Sequence, residues 1–138
     1  SCVDAAGIAA GLTVNSFVSL SLDPALVLWS LRKSSRSLAA FRAARHFAVN
    51  VLAQDQVDLA RRFASTVHDK FAEGRWATGA GGAPILGGCA AVFECVRVDE
   101  REAGDHVLFI GSVQHAHETL TAPLVFQSKR YHLLGPVL

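Results

Sequence analysis

Residues 89–118, CAAVFECVRVDEREAGDHVLFIGSVQHAHE, constrain the fold more than any other stretch of the chain. Two long runs rich in β-branched and aromatic residues, about Cys89 to Glu102 and His106 to Glu118, flank the tripeptide AGD. That pattern predicts two long antiparallel strands joined by a tight hairpin. Further strand signals cover about Ile8 to Val18, Ala25 to Leu31 and Phe47 to Leu52, with short strands at Leu124 to Gln127 and Arg130 to Leu134 closing the chain. Two helices interrupt this order. SSRSLAAFRAARH puts Leu38 and Phe41 on one face behind a capping Ser35, and DQVDLARRFAS puts Val57, Leu59, Ala60 and Phe63 on a stripe behind a capping Asp55. Residues 65–88 read as a long irregular segment. Many strands and two short helices predict a mainly β chain, a closed or nearly closed barrel with its helices packed outside.

At 138 residues the chain reads as one domain over 1–138. Apolar residues make up 51% and the mean hydropathy is +0.30. No apolar run is long enough to cross a bilayer as a helix. The surplus apolar surface therefore points to a subunit interface or a ligand pocket. A net charge of +1 leaves no electrostatic footprint for nucleic acid and no basic patch for an anionic membrane. Cys2, Cys89 and Cys95 form no C-x-x-C and read as reduced thiols of a cytoplasmic protein, two of them packed in a sheet. The chain starts at Ser1 and contains no Met. Both facts predict that the natural start is missing, and an N-terminal element with it.

Several chemistries lack their residues. TGAGGAP at 78–84 has no Gly-Lys-Ser/Thr ending and opens no helix, so it reads as a loop rather than a phosphate cradle. G-x-S-x-G is absent, and no serine is marked as a nucleophile. His115 and His117 share a strand face, but no Asp, Glu or Cys ligand set accompanies them, so no metal site is expected.

Two stretches ask for a ligand. Read as a strand, LTVNSFVSLSLDP (12–24) has a core face of Leu12, Val14, Ser16, Val18, Leu20 and Leu22. Its other face, Thr13, Asn15, Phe17, Ser19, Ser21 and Asp23, is small and mostly neutral. That face suits a flat, uncharged, hydrogen-bonding ring system, and a bend or bulge near Asn15 to Phe17 would bring Ser16 round to it. In RKSSRS (32–37), Arg32, Lys33 and Arg36 crowd the expected start of a helix, where the macrodipole disfavours cations. A bound anion would relieve the conflict and use the hydroxyls of Ser34, Ser35 and Ser37. A ligand with a neutral flat head and a phosphate tail spans both sites. Flavin mononucleotide and pyridoxal phosphate share that shape, and the neutral face lacks the lysine a Schiff base needs.

GLTVNSFVSLSLDPALVLWSLRKSSRSLAAFRAARHFAVNVLAQDQVDLARRFAS resembles the core of the flavin reductase family, the small reductase components of two-component flavin-dependent monooxygenases. The likeness runs on through DKFAEGRW, APILGGCAAVFEC, GDHVLFIGSV and PLVFQSKRYHLL. The resemblance implies a split β-barrel of the Greek-key, FMN-binding type, a homodimer that binds FMN or FAD near the subunit interface. By the family's pattern Thr13, Val14, Asn15 and Ser16 contact the isoalloxazine and ribityl parts. Ser30, Leu31, Lys33, Ser34, Ser35, Arg36 and Ser37 hold the phosphate. His106 of the G-D-H motif sits where nicotinamide docks, and Tyr131 lies in the closing motif near the site. Trp29 is bulkier than the pattern leads one to expect, and either narrows the pocket or fills core. The implied reaction moves hydride from C4 of NADH or NADPH to N5 of the flavin, and the reduced flavin leaves for a separate monooxygenase. The competing reading is a flavin-binding electron carrier or flavin store with no reductase activity.

Overall fold

The computed structural model describes residues 1–138. Its strands are β1 (Cys2–Val3), β2 (Ala9–Ala10), β3 (Val18–Leu22), β4 (Ala25–Arg32), β5 (His46–Val51), β6 (Trp76–Thr78), β7 (Pro84–Leu86), β8 (Ala91–Ala103), β9 (His106–Glu118), β10 (Val125–Gln127) and β11 (Arg130–His132). The helices are α1 (Leu38–Ala43) and α2 (Val57–Ala64), with a 3-10 turn at Lys70–Ala72. Seven strands form one sheet in the order β2-β1-β5-β8-β9-β4-β3, and β6-β7 and β10-β11 are separate hairpins.

The expected central hairpin is β8-β9, in antiparallel register from Ala91↔Glu118 to Ala103↔His106. Gly104 opens its two-residue turn at φ 59. The left-handed conformation matches the twist of the flanking strands, and it suits glycine.

The sheet is strongly curved. Three strand spacings separate β5 from β4, about 14 Å in a flat sheet. Yet the rings of Trp29 on β4 and Phe47 on β5 meet at 5.9 Å between centroids. Curling therefore brings the two strands face to face around one core of Cys2, Val27, Trp29, Leu31, Phe41, Phe47, Cys95, Val107 and Phe109. The edge strands β2 and β3 do not pair. Residues 11–17, outside any strand, connect them, so the barrel is split on that side.

Four local expectations need correction. The strand expected over Ile8 to Val18 is two short strands with an irregular stretch between them, bent at Asn15. Leu12 and Val14 pack on the core as expected, but Val18, Leu20 and Leu22 are exposed. The reason is that β3 is an edge strand and a bulge between Ser19 and Ser21 breaks its alternation. The helix caps shift as well. Ser37 and Gln56 occupy the cap positions and neither side chain caps its helix. Ser35 Oγ instead accepts the N–H of Ser37 at 3.2 Å. Lastly, the segment read as irregular contains the β6-β7 hairpin around the glycine loop.

Candidate functional site

β4, β9 and the chain after β4 meet at one end of the barrel. Alternation along β4 sends Val27, Trp29 and Leu31 into the core and leaves Ser30 half-buried and Arg32 exposed. Arg32 stands opposite His106, the first residue of β9. One residue on, the Lys33 N–H donates to the Asp105 carbonyl at 2.8 Å. This bond stitches the RKSSRS turn to the G-D-H turn. His106 Nδ1 lies 2.8 Å from Asp105 Oδ1, and that hydrogen bond holds the Asp105 carboxyl below its ordinary pKa. An ionised carboxylate only accepts, so Nδ1 carries the proton and Nε2 is the nitrogen left for a ligand.

The cations of the turn are not equivalent. Lys33 Nζ pairs with Glu102 at 2.8 Å, and Arg42 of α1 reaches Glu100 at 3.1 Å and Glu102 at 3.3 Å. The Lys33 hydrogen bond is the main reason the Glu102 carboxyl titrates below its usual value. Arg32 and Arg36 make no ion pair. α1 is only 6 residues long and starts at Leu38, so its dipole adds little at Lys33 to Arg36. The free positive charge of the turn is therefore guanidinium.

The Thr13–Ser16 stretch divides its groups. Thr13 Oγ1 donates to the Ala60 carbonyl at 2.7 Å and its N–H to Phe63 O at 3.3 Å, which pins it to α2. Val14 packs against the core. Asn15 is exposed and its side chain makes no hydrogen bond within the protein. Ser16 Oγ accepts the Ser30 N–H at 2.9 Å and donates to the Ser30 carbonyl at 3.2 Å. The backbone N–H groups of Asn15, Ser16 and Phe17, and those of Ser34 and Arg36, have no acceptor in the protein.

A cavity of about 410 Å³ lies beside this stretch. Thr13, Val14, Asn15 and Tyr131 line it, among mostly apolar walls, whereas Ser30, Lys33, Ser34 to Ser37 and His106 do not. Tyr131 packs its ring 5.1 Å from Phe126, and the Arg61 guanidinium carbon lies 6.0 Å from the Tyr131 ring centroid. The candidate residues thus fall into two groups, with Ser16 joining them. Leu31 has its side chain in the core, so only its backbone is available to a ligand. Trp29 does both things expected of it: it fills core, stacked on Phe109 at 4.9 Å and edge-on to Phe41 at 4.8 Å, and it lines the cavity. Its Nε1 is buried with no hydrogen-bond partner. His115 and His117 are exposed on β9, and no cluster of metal-ligating side chains forms. Glu102 and Arg42 escaped the sequence reading, since 60 positions separate these partners and no local motif marks them.

Residues 1–135 match the family described as the flavin reductase like domain. The chain belongs to the flavin reductase family. A Rhizobium meliloti protein described as "Probable flavin reductase" is 50% identical over 110 residues, which are 80% of this chain and 35% of that protein. The FMN reductase (NADH) SmoA of Agrobacterium fabrum is 45% identical over 116 residues, 84% of this chain and 66% of SmoA. Among solved structures, the NADH:FAD oxidoreductase SgcE6 of Streptomyces globisporus, in complex with NAD and FAD fragments, superposes at a TM-score of 0.91 with 34% identity, covering 98% of this chain and 82% of that one. Other relatives are reductase components of flavin-dependent monooxygenases. The chain spans between 34% and 75% of the length of the first five curated relatives. The mainly β split barrel is the fold of these flavin reductase structures.

The family's cofactor can be tested against the site. A flavin nucleotide needs neutral donors for its ring and cationic or N–H donors for its phosphate. Asn15 and the free N–H groups of Asn15 to Phe17 supply the first. Arg36 and the free N–H groups of Ser34 and Arg36 supply the second. The residues fit.

Proposed function

We propose that the protein is an NAD(P)H-dependent flavin reductase that reduces FMN or FAD and releases the product to a separate monooxygenase. The observation that carries this reading is the meeting of three elements at one barrel end: the unbonded donors of Asn15–Phe17, the Ser34–Ser37 turn with its free Arg36, and the His106–Asp105 pair. SmoA and SgcE6 support NADH as donor and both FMN and FAD as acceptors. The reductase components among the relatives support the monooxygenase partner.

In this reading Asn15 and Ser16, with Thr13 and Val14 behind them, form the wall against the ring system. The phosphate lies at Ser30, Lys33, Ser34, Ser35, Arg36 and Ser37, with Leu31 contributing backbone. The flavin, when bound, supplies the electron-accepting chemistry, so the protein needs no nucleophile. The chain's own part is to stack two rings in reach of each other and to place N–H donors where negative charge develops. His106, with its Nδ1 proton committed to Asp105, presents Nε2 to the nicotinamide. Tyr131 closes the cavity side. Modest affinity suits a site whose product must leave.

A homodimer belongs to the proposal. Val18, Leu28 and Ile110 form a cross-strand row on the outer sheet face, and Val18 is 48% exposed. A second copy of the chain would cover it. The reductase components among the relatives support the partner monooxygenase, and a cytoplasmic setting belongs to the same reading. No helix of the structure is long and apolar enough to cross a membrane.

The deciding measurement is NADH and NADPH oxidation with FMN or FAD added in excess. Many turnovers per protein are expected. Stoichiometric bleaching of bound flavin would favour the carrier reading instead. His106→Ala should lower kcat/KM for the nicotinamide about tenfold or more. An unaltered value removes His106 from the site.

A further inference from the structure

Ser16 stands where a strand ladder ends. The β3-β4 register runs Leu22↔Ala25, Ser21↔Leu26, Ser19↔Val27 and Val18↔Leu28. Two steps further, the same register would set Ser16 opposite Ser30. It does not continue, because the chain is irregular from Gly11 to Phe17 and bends at Asn15. The Ser30 N–H and carbonyl nevertheless both point at this position, and both are satisfied by one atom, Ser16 Oγ, at 2.9 and 3.2 Å. An antiparallel rung there would use the N–H and carbonyl of residue 16 for the same two bonds. The hydroxyl accepts one and donates the other. The side chain has taken the place of a backbone rung.

The substitution has a consequence for the neighbouring backbone. Had the rung been made by the main chain, the Ser16 N–H would be spent on β4. With the hydroxyl in its place, the N–H groups of Asn15, Ser16 and Phe17 all remain without a protein acceptor. The same clasp holds this loop against the end of β4 at Ser30, two residues before Arg32 and its neighbour His106. We infer that the Ser16 side chain positions the site rather than contacting the flavin: its hydroxyl fastens residues 15–17 to β4 and keeps their N–H groups, its own included, aimed at the ligand. This role rests on the flavin reading of the same site.

Two measurements on the chain test it. In the protein without added ligand, hydrogen exchange at the Ser30 amide should be slow, and at least tenfold faster in Ser16→Ala. Fluorescence titration with FMN and FAD should show at least tenfold weaker binding in Ser16→Ala, and Ser16→Thr, which keeps the hydroxyl, should restore most of it. Equal Ser30 exchange in wild type and Ser16→Ala overturns the clasp. Faster exchange with unchanged flavin affinity, while Arg36→Ala weakens binding, overturns the positioning role and leaves the flavin site standing. A wild-type chain that binds neither FMN nor FAD defeats the functional reading and the role together.

Discussion

Lys33 and Arg36 lie three positions apart and carry different electrostatic loads. Lys33 is paired with Glu102, and this exposed pair is worth little to stability, yet it already neutralises the ammonium. Arg36 has no counter-ion. We expect Arg36→Ala to weaken flavin binding by roughly 1–3 kcal/mol, and Lys33→Ala by less than about 1 kcal/mol. Titration of each variant with FMN reads both values, and equal losses would refute the distinction. The cysteines make a second case. Burial pushes the thiols of Cys2 and Cys89 up to about 11 and that of Cys95 to about 12. The thiolate is the reactive form, so these groups are protonated at neutral pH. Iodoacetamide at pH 8 should leave them almost unmodified in the folded chain and label all three in denaturant. Rapid labelling of the native protein would contradict their burial.

Among the elements, β9 shows what closes the barrel. Gly111 lies on β9 opposite Val27 of β4 and Arg97 of β8. A Cβ there would run into the Phe47 ring and sit 3.0 Å from Cys95 Cβ. The glycine lets a ring from β5 reach across the barrel interior. Gly111→Ala should therefore destabilise the chain by about 1–3 kcal/mol through overpacking. The expected sign is a lower denaturant midpoint at unchanged slope. Elements also differ in how openly they are written. The β8-β9 hairpin was legible because thirty consecutive residues carry strand periodicity and its turn is compact. β3 departs from its expected face because an edge strand with an outward apolar face and a bulge carries the same alternation as a core strand. Burial of Leu12 and exposure of Leu20 cannot be told apart by pattern, since both are leucines on the same parity.

At the scale of the whole molecule, the outer face around Val18, Leu28 and Ile110 argues for a second copy. Val18→Glu should shift the sedimentation coefficient from dimer to monomer, because a charge buried in an apolar interface has no partner. A dimer that survives the change would place the interface elsewhere. Flavin binding should stabilise the folded chain by mass action, about 2.7 kcal/mol at ligand concentrations a hundredfold above Kd, read as a rise in Tm with added FMN. The sequence by itself determined the strand-rich order and the family, and it marked the two stretches, Thr13–Ser16 and Arg32–Ser37, proposed here to engage a phosphate-tailed ligand. These are local patterns, carried by residue type and spacing. Only the tertiary structure decided that Thr13 is spent on α2, that Leu31 faces the core, that Glu102 neutralises Lys33 and that the Ser16 hydroxyl stands in for a missing rung. Each of these depends on where a distant backbone group lies, and the curl of the sheet, not the neighbouring residues, sets that position.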